Sequence, residues 1–330
     1  MTRTVACCSL VLAAAACQPL DNAGSEFATG VPRQETVAMS VPGSSAKALT
    51  VEGSSRALEG QTAEWYRITR VVSGTVNAGA IAVGALVRLV TNYPATSVGI
   101  DTAVWGPWQG PLDPVEWKVT ITRIALHQYS YAFEGRDKHQ PTAAFVTVLS
   151  GVHSPGLDEQ GKELEGFGTG SFTLDWDARA TLPEPDSNVG KANYVYDHKG
   201  PGQVITITAQ FRQVKDDDHP GNLVDADYAF VQNPQAEGSM DFVFTIPANP
   251  ADATSVGALA RVHSRWQWSG AGRADVTATT LDNAQTYSLS ECWDINYAST
   301  YKSVPISLDP ADNYGSEATC AFTTAVYSTL

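Results

Sequence analysis

Apolar and polar residues alternate between Trp117 and Ala278 in one short segment after another, with turn residues between the segments. Side chains alternate faces along a β-strand, so this pattern predicts strands rather than helices. In the clearest segment, Ala260, Val262, Ser264, Trp266 and Trp268 share one face. The pattern predicts about eleven strands, at residues 117–125, 129–134, 143–150, 171–177, 192–197, 204–211, 225–232, 238–246, 260–268, 274–278 and 285–291.

Strict alternation gives each strand one buried and one wetted face, which antiparallel sheets allow and parallel sheets rarely do. An open sheet of this many strands curls or closes, and closure also removes its exposed edges. The predicted fold is therefore mainly β (α+β). It is a long antiparallel meander forming a curved sheet, a half-barrel or a barrel.

A helix is predicted before the sheet, between Glu59 and Val90, where apolar residues recur every three or four positions. The stretch between Arg70 and Arg88 carries no charge, but it is too short and too polar for a membrane span. We therefore expect the helix to pack against the concave face of the sheet. Gly79 or Pro94 is the place where it would break.

The first residues have the pattern of an export signal. Arg3 precedes an apolar run that ends in small residues just before Cys17. We predict a lipoprotein signal peptide over residues 1–16 and lipidation of Cys17; the alternative is an ordinary signal peptide that is cut nearby. The residue after the cysteine is Gln18 and not Asp, which by its resemblance to Gram-negative sorting patterns favours the outer membrane, on either its periplasmic or its surface side.

Residues 17–57 are rich in Gly, Ser, Ala and Pro and show no apolar periodicity. They predict a flexible tether with a root-mean-square span of roughly 35 Å. No linker divides the rest, so residues 58–330 are predicted to form a single β-rich domain.

The net charge of −14 and pI of about 4.7 leave no basic patch for nucleic acid. Two cysteines, Cys292 and Cys320, remain beyond Cys17 and predict a disulfide in an oxidising compartment, closing a C-terminal segment. A zinc site has little support, because neither cysteine has a further ligand at the required spacing.

Two groups of carboxylates are candidates for chemistry. Asp175 and Asp177 flank Trp176 on a predicted strand, about 6 to 7 Å apart, a spacing that suits paired glycosidase carboxylates. A wetted strand face is the plainer interpretation. Asp216, Asp218 and Asp227 partly follow a calcium-loop pattern, but Pro220 replaces one ligand, which favours a solvated hairpin loop. No nucleophile, base and orienting group can be named together, so neither an enzyme nor a cofactor is indicated.

Four tryptophans are candidates for ligand contact, because aromatic rings can stack on sugar rings or pack on apolar ligands. Trp105 and Trp108 lie in a predicted Gly/Pro-rich loop, whereas Trp266 and Trp268 lie in a strand. Core packing is the ordinary explanation for the strand pair.

Several motifs resemble those of uncharacterised secreted lipoproteins of predatory soil myxobacteria. They are Glu291-Cys292-Trp293-Asp294, Gly315-Ser316-Glu317, Cys320-Ala321-Phe322, the run from Gly166 to Phe172, and Asp175-Trp176-Asp177. The resemblance brings no assigned activity. In outline, a helix against a long curved meander is also similar to half-barrel carriers of lipoproteins and lipids, as a fold analogy only.

These observations predict a membrane-anchored, non-enzymatic lipoprotein whose curved sheet binds an apolar small molecule or lipid. Aromatic residues concentrated on one predicted sheet face support this, among them Tyr129, Tyr131, Phe133, Phe242 and Phe244. A carbohydrate-binding β-sandwich, a glycoside hydrolase acting through Asp175 and Asp177, and a purely structural surface lipoprotein are the alternatives.

Overall fold

The computed structural model describes residues 25–43, 58–185, 187–215, 223–246, 248, 256–305, 307 and 309–330. The predicted signal peptide, Cys17, Asp216 and Asp218 lie outside these residues.

Fourteen antiparallel strands form one sheet in which every strand pairs with its neighbours in sequence, and the sheet does not close. This confirms the predicted mainly-β meander and all eleven predicted strands; three more strands, β1, β2 and β14, were missed. The strands are β1 (Ser97–Val98), β2 (Thr102–Trp108), β3 (Val115–Ala125), β4 (Gln128–Asp137), β5 (Val146–Leu157), β6 (Glu163–Asp175), β7 (Lys191–His198), β8 (Ile205–Lys215), β9 (Leu223–Gln232), β10 (Glu237–Ile246), β11 (Ala258–Gln267), β12 (Gly272–Thr280), β13 (Thr286–Trp293) and β14 (Ser299–Ser303).

One long helix, α3 (Glu64–Asn92), lies across one face of the sheet, which we call the inner face. Near the start of α3, the Trp65 ring packs 6.5 Å from that of Phe244 in β10. Further along, the Tyr194 hydroxyl of β7 donates to the Val76 carbonyl, 2.9 Å away. Just past its end, Trp105 of β2 donates from Nε1 to the Tyr93 carbonyl at 2.9 Å. The helix therefore crosses the inner face of the sheet from β10 to β2.

The helix runs through Gly79 without the predicted break and ends at Asn92, with Tyr93 extended before Pro94. A residue before proline disfavours the helical conformation, which explains the end point. Among the described residues, no helix combines the length and the apolar character that a membrane crossing requires.

The N-terminus of α3 is capped by a side chain from the sheet. Ala63 precedes the helix and has no side-chain acceptor, but Glu291 Oε2 of β13 accepts from the Trp65 amide at 2.7 Å. The other carboxylate oxygen accepts from Ser299 Oγ at 2.7 Å. Glu291 is fully buried, and this burial raises its pKa. A carboxylate at this position satisfies an otherwise unpaired amide and complements the helix dipole.

Residues 25–43 were predicted to belong to a flexible tether, and this part of the prediction is wrong. They contain α1 (Ser25–Ala28) and α2 (Gln34–Val37) and pack on the inner face beside α3. Asn77 of α3 holds the segment through two hydrogen bonds with the Met39 backbone, of 2.7 and 2.8 Å. The segment escaped detection because its apolar residues do not keep one spacing: Phe27 and Val31 are four positions apart, whereas Val37, Met39 and Val41 alternate over a short stretch only. Those that are buried are Phe27, Val31, Val37, Met39 and Val41.

The opposite, outer face of the sheet is mostly polar, but its C-terminal end carries a buried charge network. Asp275 of β12 is fully buried; its Oδ1 accepts from Arg273 Nε at 2.7 Å and from Ser290 Oγ at 2.6 Å. Its Oδ2 accepts from Arg265 Nη2 at 2.9 Å and from the Val326 amide at 3.0 Å. The C-terminal residues thus lie over this face, and the predicted disulfide between Cys292 and Cys320 is confirmed.

Candidate ligand pocket

A cavity of about 310 Å³ lies between residues 25–43 and the adjoining ends of β5 and β6. Its apolar walls come from both sides. Six of the twelve lining residues are polar or charged, and a small-molecule site uses such groups to orient its ligand. The lining residues are Ala28, Thr29, Val31, Arg33, Thr36, His153, Pro155, Glu163, Leu164, Glu165, Gly166 and Phe167. The cavity exists only because the N-terminal segment packs on the sheet.

His153 is the central polar group of this pocket. It is 3 % exposed, and burial lowers its pKa to about 4, so that the ring is neutral at pH 7. Its Nδ1 lies 2.8 Å from the Tyr196 hydroxyl of β7. Among the described residues, none makes a hydrogen bond with Nε2. A buried neutral imidazole with one free nitrogen can bind one polar group of a ligand.

Two buried tyrosines, Tyr196 and Tyr131, place their hydroxyl groups in the core behind His153. Burial raises the pKa of Tyr196 and of Tyr131, so both hydroxyls stay protonated at physiological pH. The Tyr131 hydroxyl is buried next to Gly151, where a side chain would collide with it. The Tyr196 hydroxyl therefore fixes the position of the His153 ring from behind.

Glu163 supplies the charged group of the pocket. Burial alone would raise its pKa, but hydrogen bonds from His127, Thr29 and Tyr129 lower it. Its Oε1 lies 2.8 Å from His127 Nδ1 and 3.3 Å from the Tyr129 hydroxyl. Because Glu163 already has hydrogen-bond partners, His153 Nε2 is the polar atom of the pocket that is left to bind a ligand. At the surface, Arg33 forms an ion pair with Glu165, and this pair joins the N-terminal segment to β6.

Glycine residues let the start of β6 come close to His153. A Cβ atom on Gly168 would lie 2.3 Å from His153 Cε1, and Gly168 has a φ of +156°. Gly166 also has a positive φ, and its carbonyl accepts from Thr36 Oγ1 of α2 at 2.9 Å. The run Gly166-Phe167-Gly168 thus shapes one wall of the pocket because glycine permits both the close approach and the unusual backbone.

The chain was compared with protein-family models, with curated proteins and with solved structures. No family model, curated protein or solved structure matches it. The resemblance to myxobacterial lipoproteins therefore stays a prediction, and the function has to be argued from the geometry of this chain.

The two carboxylates predicted to share a strand face do not do so. Asp175 is the last residue of β6 and caps α4 (Trp176–Arg179), where its Oδ1 accepts from the Ala178 amide at 2.8 Å. Asp177 lies inside α4 and accepts from the Gly190 amide at 2.8 Å. The alternation ends at Asp175 because the chain turns there. Both carboxylates hold a turn in place.

The four candidate tryptophans are not brought together. Trp105 and Trp108 lie in β2 and not in a loop; Trp105 is 2 % exposed and Trp108 stacks on Phe133. The strand pattern was hidden by Gly106 and Pro107 between them. Trp266 is buried in β11, whereas Trp268 lies beyond the end of that strand and is 69 % exposed. Trp105, Trp108 and Trp266 therefore pack in or against the hydrophobic core.

The weak calcium candidate has one described residue, Asp227, and its carboxylate pairs with Arg212 Nη2 at 2.6 Å. Across the described residues, no group of three or more His, Cys, Asp or Glu is placed to hold a metal ion.

The aromatic residues expected on one sheet face do share the inner face, where α3 and residues 25–43 cover them. A wider depression of about 620 Å³ lies on the outer face of β3–β6 and is lined mainly by Ser and Thr. The only aromatic residues in its lining, Tyr131 and Phe172, are buried in the core, so it has no exposed ring for stacking on a sugar.

Sequence analysis missed His153, Tyr196, Tyr131 and Glu163 as a group. They lie far apart in the sequence and meet only through the pairing of β4, β5, β6 and β7. One signal was available: His153 occupies a core position in the alternation of β5, two residues after Gly151. A polar residue at a core position is unusual, and it indicates a hydrogen-bond partner or a ligand.

The lowered pKa of His153 should make the protein less stable in acid. In the unfolded protein the His153 imidazole takes up a proton near pH 6.5, whereas in the folded protein it does so only near pH 4. The contribution of the neutral His153 to the free energy of unfolding is therefore fully present above pH 6.5. It is lost as the pH falls towards 4, and the whole shift lowers the free energy of unfolding by about 3 kcal/mol.

Urea unfolding of the wild type and of His153→Gln at pH 7 and at pH 4.5 measures this loss. The variant should lose less free energy of unfolding than the wild type over this interval. Equal losses in the two proteins would show that His153 does not carry the effect.

Proposed function

We propose that this protein is a small-molecule-binding protein of the bacterial envelope. Its ligand is a small, mainly apolar molecule with one hydrogen-bonding group, held in the pocket between residues 25–43 and strands β5 and β6. The observation that carries the proposal is the buried, neutral His153 ring, whose Nε2 is free in a cavity of about 310 Å³.

The size of the pocket narrows the ligand class. A volume of 310 Å³ holds roughly ten non-hydrogen atoms, taking about 30 Å³ for a group of the size of water. A medium-length acyl chain or a small aromatic alcohol fits this space, whereas a diacyl lipid does not. The apolar ligand predicted from the sequence is thereby narrowed to a small molecule or a single short chain.

The charges around the pocket favour a ligand that is neutral at its polar end. Glu163 is held ionised by its hydrogen bonds, and Glu165 adds a second carboxylate that Arg33 balances. A carboxylate on the ligand would be the third at this pocket, and it would have to approach Glu163 and a neutral histidine while Arg33 is paired with Glu165. A hydroxyl or a carbonyl group pairs with His153 Nε2 without that cost.

The proposed envelope location rests on the sequence pattern that ends at Cys17. With residues 25–43 packed on the sheet, the connection from Cys17 to Ser25 has seven intervening residues and extends to about 29 Å at most. A lipid on Cys17 would therefore hold the pocket close to the membrane surface, closer than a forty-residue tether would. The ligand would then be taken from, or delivered to, the membrane interface.

Binding of 1-octanol, followed by saturation-transfer NMR, tests this function. The wild type should bind 1-octanol more tightly than it binds octanoate, because the latter brings a carboxylate to Glu163. Leu164→Trp, which fills the pocket from β6, should abolish the signal for both ligands.

The matched control is Leu157→Trp, at an exposed position of β5 outside the pocket lining. This variant should bind 1-octanol as the wild type does. Equal binding by the wild type and by Leu164→Trp would refute the assignment of the pocket.

A further inference from the structure

A second group of functional side chains lies on the outer face of β10 and β11, away from the proposed ligand pocket. His263 Nδ1 of β11 lies 2.8 Å from Asp241 Oδ1 of β10. Register pairs Asp241 with His263 and Ser239 with Arg265, so Ser239 is the diagonal neighbour of His263 on the same face. The sequence alone does not show this group, because it arises from cross-strand pairing.

A cavity of about 240 Å³ opens beside these residues. It is lined by Asn233, Glu237, Gly238, Ser239, His263, Arg265 and Phe322. Asp241 is absent from the lining and lies on the far side of the imidazole. The ring thus stands between the carboxylate and the cavity that contains the Ser239 side chain.

This arrangement fixes the chemistry of the imidazole. An ionised carboxylate can only accept hydrogen bonds, so it accepts from Nδ1 of His263. In the neutral ring, Nε2 then carries the lone pair, which is available to a proton donor. Ser239 lines the same cavity as this oriented histidine but makes no hydrogen bond with it, so its hydroxyl has to turn towards Nε2 to become an activated nucleophile.

Arg265 adds a hydrogen-bond donor to the same cavity. Its Nη2 donates to Asp275 at 2.9 Å and to the Thr324 carbonyl at 2.7 Å, which holds the guanidinium in place. Its Nε is buried and has no hydrogen-bond partner among the described residues. A buried donor without a partner is costly, and a bound oxyanion would satisfy it.

We propose that Ser239, His263 and Asp241 form a nucleophilic site for short-chain carboxylic esters, with Arg265 Nε as the donor to the oxyanion. The Ser239 oxygen bonds to the ester carbonyl carbon as its proton passes to His263 Nε2. The carbon–oxygen bond to the alcohol then breaks, and the alcohol leaves with that proton. Water, deprotonated by the same ring, hydrolyses the acyl-serine and regenerates the hydroxyl.

Ser239 and His263 are the catalytic residues of this proposal, and Asp241 is a positioning residue. The cavity volume holds roughly eight non-hydrogen atoms, which suits an acetyl or butyryl group with the alcohol part outside. The proposal is independent of the ligand pocket on the inner face, because no lining residue is shared.

Labelling of the full chain with phenylmethanesulfonyl fluoride, read by intact mass and peptide mapping, tests the proposal. The wild type should gain one sulfonyl group on Ser239, and it should hydrolyse 4-nitrophenyl acetate. Ser239→Ala should lose both properties, and His263→Gln should react at least about 100-fold more slowly. Asp241→Asn should lower the rate and shift its pH profile, which a purely structural role would not do.

The matched control is Ser171→Ala on the outer face of β6, where Ser171 pairs with Val152 and Val195 and has no histidine partner. It should be labelled at the wild-type rate. Ser239→Ala removes one partly buried hydroxyl, so circular dichroism should show an unchanged fold. An unlabelled wild type, or labelling and hydrolysis that persist in Ser239→Ala, would overturn the proposal.

Discussion

Replacing Asp275 with alanine should lower the free energy of unfolding by about 3 to 5 kcal/mol, the cost expected for removing one partner from a buried ion pair. The Arg273 side chain is 1 % exposed and the Arg265 side chain 15 %, and both donate to this carboxylate. Without it, Arg265 keeps only the Thr324 carbonyl, and the Val326 amide loses its acceptor. The C-terminal residues should then leave the outer face.

Chemical denaturation measures the loss, and hydrogen exchange of the Val326 amide reports release of the C-terminal residues. Asp275→Asn, which keeps the shape but removes the charge, should lie between alanine and the wild type. The control is Asp101→Ala, in the exposed turn between β1 and β2, which should leave the denaturation midpoint unchanged. A change below 1 kcal/mol in Asp275→Ala would contradict this account of the network.

Removing the disulfide should have the second largest effect on stability. Cys292 and Cys320 are separated by 28 positions, and in the chain-entropy model a loop of this length stabilises the fold by about 3.5 kcal/mol. The bond joins the end of β13 to the residues that precede Phe322, which packs on Arg265. The double variant Cys292→Ala/Cys320→Ala should therefore unfold at lower denaturant and should also expose the outer face near Arg265.

Denaturation of the wild type with and without reductant, beside the double variant, measures this effect. Reductant should bring the wild type to the stability of the double variant and should leave the double variant unchanged. If the double variant is as stable as the oxidised wild type, the disulfide does not stabilise the folded chain.

Much of the sheet could be predicted from the sequence because its strands have one buried and one wetted face. Each of the eleven predicted strands carries this alternation, and each is present. β2 was missed because Gly106 and Pro107 interrupt its pattern. β14, Ser-Thr-Tyr-Lys-Ser, has no apolar alternation and is recognised only by its pairing with β13.

The packing of residues 25–43 could not be predicted, because the segment is mostly irregular and its one short alternation, Val37, Met39 and Val41, stops at Pro42. Phe27 is fully buried against the sheet, where its ring meets that of Tyr129 edge-on at 6.3 Å. Only the tertiary fold supplies this partner. Since the segment forms one wall of the ligand pocket, the pocket could not be predicted either.

Neither candidate site could be predicted from the sequence, because the contacts in both depend on how the strands pair. His153 and Tyr196 meet across three neighbouring strands, and the register of a hairpin brings Ser239 and His263 to one cavity. A one-residue change of register would separate either pair, since it moves each side chain to the opposite face. Sequence reasoning identified the strands, but these contacts depend on register.

The measurement that tests the central claim most directly is native mass spectrometry of a soluble form beginning at Gln18, which is incubated with bacterial membranes and recovered without detergent. We predict a one-to-one adduct of a small neutral molecule of about ten non-hydrogen atoms, which solvent extraction releases for identification. The adduct should be absent from Leu164→Trp and present in Leu157→Trp. An adduct-free mass for the wild type, together with no binding of added 1-octanol, would contradict a ligand-binding role for the pocket.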